Sequence, residues 1–261
     1  MTVSSGTASA ERTLKVLALL GEADTDLGVT EVAAALSLDK SVVHRILATF
    51  VELEFAEQDP RTRKYRIGVR AWEIGRKFTR RNSLEDLVVP RLRAIVEETG
   101  GTGYVGSLDG FDMVYLAVVH GSGAFRVHVD VGTRLPAHAS ALGKAIIAEL
   151  PLDEQEQFLR TANLTPRTDN TIVSVAEFER ELEATKERGY AVNRGESRRG
   201  VGAVAAAIVN EQGRPVIAVS IGFPLLEDFE EMWETLPQKL CGMAREIGRH
   251  AQPLEATAGT N

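Results

Sequence analysis

The side chains best suited to chemistry in this 261-residue chain are cationic, and they cluster. Residues 61–81 carry nine basic side chains (Arg61, Arg63, Lys64, Arg66, Arg70, Arg76, Lys77, Arg80, Arg81) against one acid, Glu73. Such density is the footprint of a contact with a phosphate backbone, and it equally describes a solvated charged face. Just upstream, Val43, Ile46, Leu47 and Phe50 recur at helical spacing in a run from about Lys40 to Leu53. That leaves Lys40, Ser41, Val42, His44, Arg45 and Thr49 outward or at the rim. Arg45 can bond guanine O6 and N7 together, and Lys40 and Ser41 suit phosphates or base edges. His44 either donates to a phosphate or packs. Thr30, before the preceding apolar run, stands where a phosphate docks on a helix N-terminus, and is equally a plain N-cap.

A second group lies further on. Ser140 precedes the helical run ALGKAIIAEL, so it can cap that helix and leave the N–H groups of Ala141 and Leu142 aimed at open space, where a carboxylate binds well. Read blandly, Ser140 is only a cap. No catalytic set emerges. Gly101-Thr102-Gly103-Tyr104-Val105-Gly106 follows a helical segment and opens a strand, the reverse of a dinucleotide fingerprint. Ser220 sits in AVSIG rather than a nucleophile elbow. His120, His128 and His138 are spaced too irregularly for one metal site, and Cys241 reads as an inert core thiol, so neither metal nor cofactor is expected.

These residues need elements to hold them. Ala10, Leu14, Leu17 and Leu20 mark a first helix, capped by Ser9 and ended by Gly21. A short helix follows Thr30 with Val32, Ala35 and Leu36 on one face, then a turn at Leu38-Asp39, then the Lys40 helix: a helix-turn-helix. Phe55-Ala56-Glu57 and Lys64-Tyr65-Arg66-Ile67 flank the turn Asp59-Pro60-Arg61-Thr62 as a two-stranded wing, basic at its tip, closed by Gly68. Residues 70–98 read as helical, with a polar break at Arg81-Asn82-Ser83, a capping signal in Ser83 and Asp86, and a kink risk at Pro90. Beyond them, strand-like runs (TGYVGSL, DMVYLAVV, AFRVHVDV, GYAVN, VGAVAAAIVN, PVIAVSIGF) interleave with helix-like ones (SALGKAIIAEL, DEQEQFL, SVAEFERELEATKERG, and about Leu226 to His250), which suggests α+β with an antiparallel sheet.

Composition agrees with a soluble, cytoplasmic chain. Apolar residues make up 44%, no run approaches the roughly 18 apolar residues of a membrane span, and a single cysteine excludes a disulfide framework. The net charge of −7 is unevenly spread: residues 1–82 hold 13 Lys or Arg against 11 Asp or Glu, and the other 179 hold 17 against 26.

In this order the motifs resemble the IclR family of bacterial transcription regulators. The resemblance rests on Asp39-Lys40-Ser41-Val42-Val43-His44-Arg45-Ile46-Leu47-Ala48-Thr49, Phe55, Asp59-Pro60 and Lys64-Tyr65-Arg66-Ile67-Gly68. It continues in Leu135-Pro136-Ala137-His138-Ala139-Ser140-Ala141-Leu142-Gly143-Lys144-Ala145, in Gly189-Tyr190-Ala191-Val192-Asn193 and in Gly200-Val201, covering about residues 9–250. It implies a winged helix-turn-helix over 1–78, a linker helix region over 79–98 and a GAF-like α+β effector and oligomerisation domain over 99–252, while the residues PLEATAGTN themselves read as a disordered tail over 253–261. The implied partners are a double-stranded DNA operator, a small organic-acid effector and further copies of the chain, as a homodimer or dimer of dimers. Repression is the commoner sign. Arg61, Arg63, Lys64 and Arg66 of the wing join Thr30, Lys40, Ser41, His44 and Arg45 as DNA contacts, with Arg63 expected on the backbone. The effector positions implied are Leu135, Ala141, Leu142, Asn193, Ala203, Ser220 and Gly222. The family often has an acid at 193, a cysteine at 203 and a serine at 222. Their loss here predicts a roomier, more apolar pocket for a larger or aromatic acid. Arg194, Arg198 and Arg199 either pair its carboxylate or are solvated. An enzyme of hydrolase or lyase type fused to a DNA-binding module, and an adaptor binding acidic proteins, are the rival readings.

Overall fold

The computed structural model describes residues 8–81, 84–121, 129–226 and 229–249. The chain divides into two compact units, Met1–Phe78 and Thr79–Asn261.

In the first unit, α1 (Ala8–Glu22), α2 (Val29–Leu36) and α3 (Lys40–Glu52) lead into a hairpin of β1 (Ala56–Gln58) and β2 (Tyr65–Ile67), and α4 (Val69–Arg81) follows. Val16, Leu20, Val32, Val43, Leu47 and Phe50 from the three helices meet Ala56 and Tyr65 of the hairpin in one core. The turn between α2 and α3 is sharp because Ser37 takes a left-handed conformation at φ 52°, and the next N–H, of Leu38, bonds the Ala33 carbonyl at 3.0 Å. Reciprocal 2.8 Å backbone bonds between Leu27 and Tyr65 tie the wing to the α1–α2 loop. Gly68 is required where it stands, since a Cβ there would lie 2.3 Å from the Glu54 carbonyl oxygen.

Several local expectations need correction. Ser9 lies inside α1, where its carbonyl accepts the Thr13 hydroxyl, and Gly21 belongs to the last turn. Thr30 is not a cap: Gly28 is the N-cap, its N–H donating to Glu31 Oε2 at 2.6 Å. Ala33 rather than Ala35 is buried, and α2 starts at Val29, two residues earlier than expected. Ile46 is only half-buried.

In the second unit a π-helical turn (Leu84–Val88) and α5 (Val89–Thr99) precede β3 (Thr102–Asp109) and β4 (Asp112–Val119). Then come β5 (Arg134–Pro136), a 3-10 turn (Ala137–Ala139), α6 (Ala141–Glu149), α7 (Leu152–Thr161), α8 (Val175–Arg188), β6 (Ala191–Arg194), β7 (Val201–Val209), β8 (Pro215–Pro224) and α9 (Met232–Gly248). The strands form one antiparallel sheet in the order β5-β4-β3-β8-β7-β6. Leu92 and Val96 of α5 and Leu236, Leu240 and Ile247 of α9 pack on one face. Leu142, Ile146, Phe158, Phe178 and Leu182 of α6, α7 and α8 pack on the other. The glycines before and within β3 serve this packing: a Cβ on Gly103 would lie 2.8 Å from Leu92 and Val96, so α5 sits directly on the strand.

Pro90 is the second residue of α5, directly after the π-helical turn whose last residue, Val88, is itself helical, so the proline stands where π-helical and α-helical bonding meet. The last helix begins at Met232, not near Leu226, which is exposed beyond the end of β8. The strand expected over AFRVHVDV lies mostly outside the described residues, as do the Ser83 cap and the tail; Val129–Val131 are not in a strand, and the short β5 that pairs with β4 was not expected.

Candidate functional site

With Val43, Leu47 and Phe50 turned inward, α3 exposes Lys40, Ser41, His44 and Arg45. Arg45, Ile46 and Thr49 also border a groove against Ser9, Arg12 and Thr13 of α1, so Arg12, which the motif reading passed over, stands beside the exposed face. Thr30 is exposed in the first turn of α2.

The wing turn is built by Asp59. Its carboxylate accepts the N–H groups of Arg61 at 2.8 Å and Thr62 at 2.7 Å, bonds that hold its pKa below the ordinary value. Arg63 adopts φ 61° as its N–H returns to the Asp59 carbonyl at 2.9 Å. Arg61 and Arg63 therefore project from the tip, and neither has an ion-pair partner among the described residues. Lys64 and Arg66 differ: Lys64 lies 3.2 Å from Glu31, and Arg66 lies 2.8 Å from Glu57 and 3.9 Å from Asp26.

In the second unit the Ser140 hydroxyl caps α6 by accepting the Gly143 N–H at 3.2 Å. The N–H groups of Ala141 and Leu142 precede the first intrahelical bond and are left free by helix geometry. Gly143 lets α6 start directly on the 3-10 turn, since a Cβ there would meet the Ala137 carbonyl oxygen at 2.2 Å. This helix start opens onto a cavity of about 100 Å³ bordered by Leu135, Ala141, Leu142, Asn193, Ala203, Ser220 and Gly222. Strand register gathers them: Asn193 pairs with Ala203, Ala203 with Gly222, and Ser220 with Tyr104. Tyr104, Tyr115, Arg167 and Ser197, to which no motif pointed, also line the cavity, with Val129, Ser140, Arg198 and Val201. Their chemistry was visible, but their convergence depends on strand order and loop path.

The cavity is compact, and its lining mixes apolar side chains such as Leu135, Leu142 and Val201 with polar ones. The space beside Gly222 is taken by Tyr104, whose ring would stand 3.0 Å from a Cβ there. Tyr104 and Tyr115 meet edge to face at 5.4 Å, and burial raises both hydroxyls, Tyr115 to about 12, so both are neutral donors at pH 7. Asn193 is spent on the fold: its amide donates to the Ala139 carbonyl at 2.6 Å and accepts the Glu196 N–H at 2.9 Å. Of the three nearby arginines only Arg198 borders the cavity; Arg194 stacks on Trp233 at 3.9 Å and Arg199 pairs with Asp169 at 2.7 Å.

Off the lining, an ion cluster centred on the buried Lys144 ties α6 to α8 and to the loop that carries Glu196. Lys144 of α6 lies 2.7 and 3.0 Å from the Glu196 carboxylate oxygens and 3.2 Å from Glu181, which in turn holds Arg188 at 2.8 Å. Burial raises the Glu196 pKa against the pull of Lys144. The Thr168 and Thr171 hydroxyls reach the carbonyls of Gly195 and Glu196 at 2.7 Å, fixing the loop that carries Ser197 and Arg198. Cys241 is half-buried, faces the Gly189 carbonyl at 3.3 Å, and has its pKa raised by burial.

The IclR helix-turn-helix domain profile matches residues 9–60, and the profile of the bacterial transcriptional regulator IclR C-terminal domain matches residues 77–249. The chain belongs to the IclR family. The HTH-type transcriptional regulator XynR of Escherichia coli K12 is 32% identical over 82% of this chain and 84% of its own length. BhcR of Paracoccus denitrificans is 31% identical over 94% and 87%. The Thermotoga maritima IclR crystal structure superposes with a TM-score of 0.72 at 27% identity, covering 94% of this chain and all of that one. An IclR homologue from Microbacterium hydrocarbonoxydans, solved in complex with 4-hydroxybenzoate, shares the fold at a TM-score of 0.79 and 20% identity, over 93% and 100% of the two chains. As an IclR protein this chain is a transcription regulator with a DNA-binding and an effector domain, and the enzyme reading is set aside.

Proposed function

We propose that this IclR protein is a cytoplasmic repressor that binds its operator as a homodimer or dimer of dimers and answers to a small organic acid. The observation that carries the effector reading is the start of α6: free N–H groups open onto a cavity lined by Arg167 and Arg198, with no acidic side chain in its lining. The effector positions are Leu135, Ala141, Leu142, Asn193, Ala203, Ser220 and Gly222, with Asn193 acting through the loop it braces. On the DNA side, α3 reads bases mainly through Arg45, helped by Lys40, Ser41 and His44, and the wing tip holds the backbone through Arg61 and Arg63. Thr30, Lys64 and Arg66 contribute less, the last two because acids already neutralise them.

The cavity of about 100 Å³ favours a compact acid, since an apolar cavity of roughly 150 Å³ is known to take benzene. An aromatic acid is the second reading, favoured by the Tyr104–Tyr115 pair, which offers a ring two aromatic partners, and by the 4-hydroxybenzoate held in the Microbacterium homologue. It requires one tyrosine to turn aside. A thermal-shift screen of aliphatic and aromatic acids, followed by footprinting upstream of the gene with and without the hit, tests both readings. Release of the footprint by a stabilising acid is the expected result; stabilisation by no acid would sink the effector assignment, and a footprint that strengthens with the acid would sink simple repression.

A further inference from the structure

The cavity grades from a buried floor to an exposed mouth. Ala141, Leu142 and Ser220 are 4%, 2% and 3% exposed, whereas Arg167 and Arg198 are exposed side chains. At the floor the Ser220 and Tyr115 hydroxyls have no hydrogen-bond partner among the described residues. Since no side-chain polar atom sealed from solvent is left unpaired there, both hydroxyls open onto the cavity. Tyr115 is itself 8% exposed, so two polar side chains more than nine-tenths buried stand ready for a ligand beside the start of α6. The floor thus offers four donors, the N–H groups of Ala141 and Leu142 and the two hydroxyls. That matches the roughly four lone-pair sites of one carboxylate.

The mouth is then unaccounted for. Neighbouring cations are matched by acids: Arg199 by Asp169, Arg188 by Glu181, Lys144 by Glu196. Arg167 and Arg198 have no such partner among the described residues, in a chain whose net charge is −7. A single carboxylate whose lone pairs are taken by the four floor donors leaves Arg167 without an acid, and Arg198 with no more than its pull on the tyrosine hydroxyls. We infer that the effector carries two acidic groups: a short-chain dicarboxylate with one carboxylate at the start of α6 and the other bound by Arg167 and Arg198. This rests on the acid-effector reading and narrows it.

Calorimetry on the full chain with matched acids, butyrate against succinate, valerate against glutarate and hexanoate against adipate, tests it. The expected result is that at least one diacid binds roughly tenfold tighter than its monoacid, the scale of a charge-assisted pair. The gap narrows in Arg167→Gln and in Arg198→Gln, and persists in Arg199→Gln, whose side chain lies off the lining. Unchanged thermal unfolding shows that the variants are folded. Equal affinity within every pair, or a gap insensitive to both mouth variants, would overturn the two-acid inference while leaving the acid-effector reading standing. Silence of every acid tested, aromatic ones included, would overturn that reading and this inference with it.

Discussion

Two arginines at the DNA face are expected to fail differently. Arg45 stands on the exposed side of α3, so Arg45→Ala should cost about 1–3 kcal/mol of operator binding and relax one base preference. Arg63, at the wing tip, should weaken operator and random DNA alike and lower the salt slope by about 1. Fluorescence-anisotropy titrations over a salt series separate them; equal loss of operator and random DNA binding in Arg45→Ala would refute its reading role. Buried charge behaves otherwise. Glu196→Ala leaves Lys144, 1% exposed, without its closest partner, and should destabilise the effector domain by about 3–5 kcal/mol in urea unfolding. Glu181 adds a pH signature. Burial opposes its charge, but Lys144 and Arg188 outweigh burial and hold its pKa below the ordinary value. A carboxyl with a lower pKa folded than unfolded stabilises the fold above the unfolded value, and that stability drains away as pH falls through the folded value. The stability difference between the wild type and Glu181→Gln should therefore be full near pH 7 and shrink below the ordinary carboxylate range. A difference constant from pH 7 to pH 3 would contradict this.

At the scale of elements, glycines decide how closely pieces meet. Gly143→Ala places a Cβ against the Ala137 backbone, which no side-chain movement relieves, so α6 must shift off the 3-10 turn. The expected outcome is loss of acid-induced stabilisation together with about 1–3 kcal/mol of stability; retention of both would show that the turn yields. Gly68→Ala should act likewise in the wing, lowering DNA affinity through its hairpin. Helix existence was legible because apolar spacing reports it directly: Val43, Leu47 and Phe50 fall inward in α3 as their spacing requires. Boundaries were less so. Thr30 resembles a cap by type, yet Gly28 caps because Glu31 can reach back to its N–H.

For the whole molecule, a self-associating regulator should protect two half-sites about one helical turn, roughly 34 Å, apart. Light scattering and hydroxyl-radical footprinting check this, and a monomer protecting a single half-site would refute it. The uneven charge belongs to this scale too: acids concentrated after residue 82 should disfavour non-specific DNA contact by the second unit.

The sequence by itself determined the helix-turn-helix, the wing, the mixed second domain and the cap at Ser140, because spacing, turn chemistry and capping act over a few residues. The seven positions proposed for the effector came from motif resemblance, and all seven border one cavity. Only the tertiary structure decided what that cavity contains. Tyr104 fills the room that Gly222 vacates, Asn193 is turned to bracing, and Arg167 arrives from a loop far along the chain. It also decided which wing cations are free, since Lys64 and Arg66 are matched by acids that folding brings beside them. Size and charge at a site are sums over residues distant in sequence, and no local pattern carries those sums.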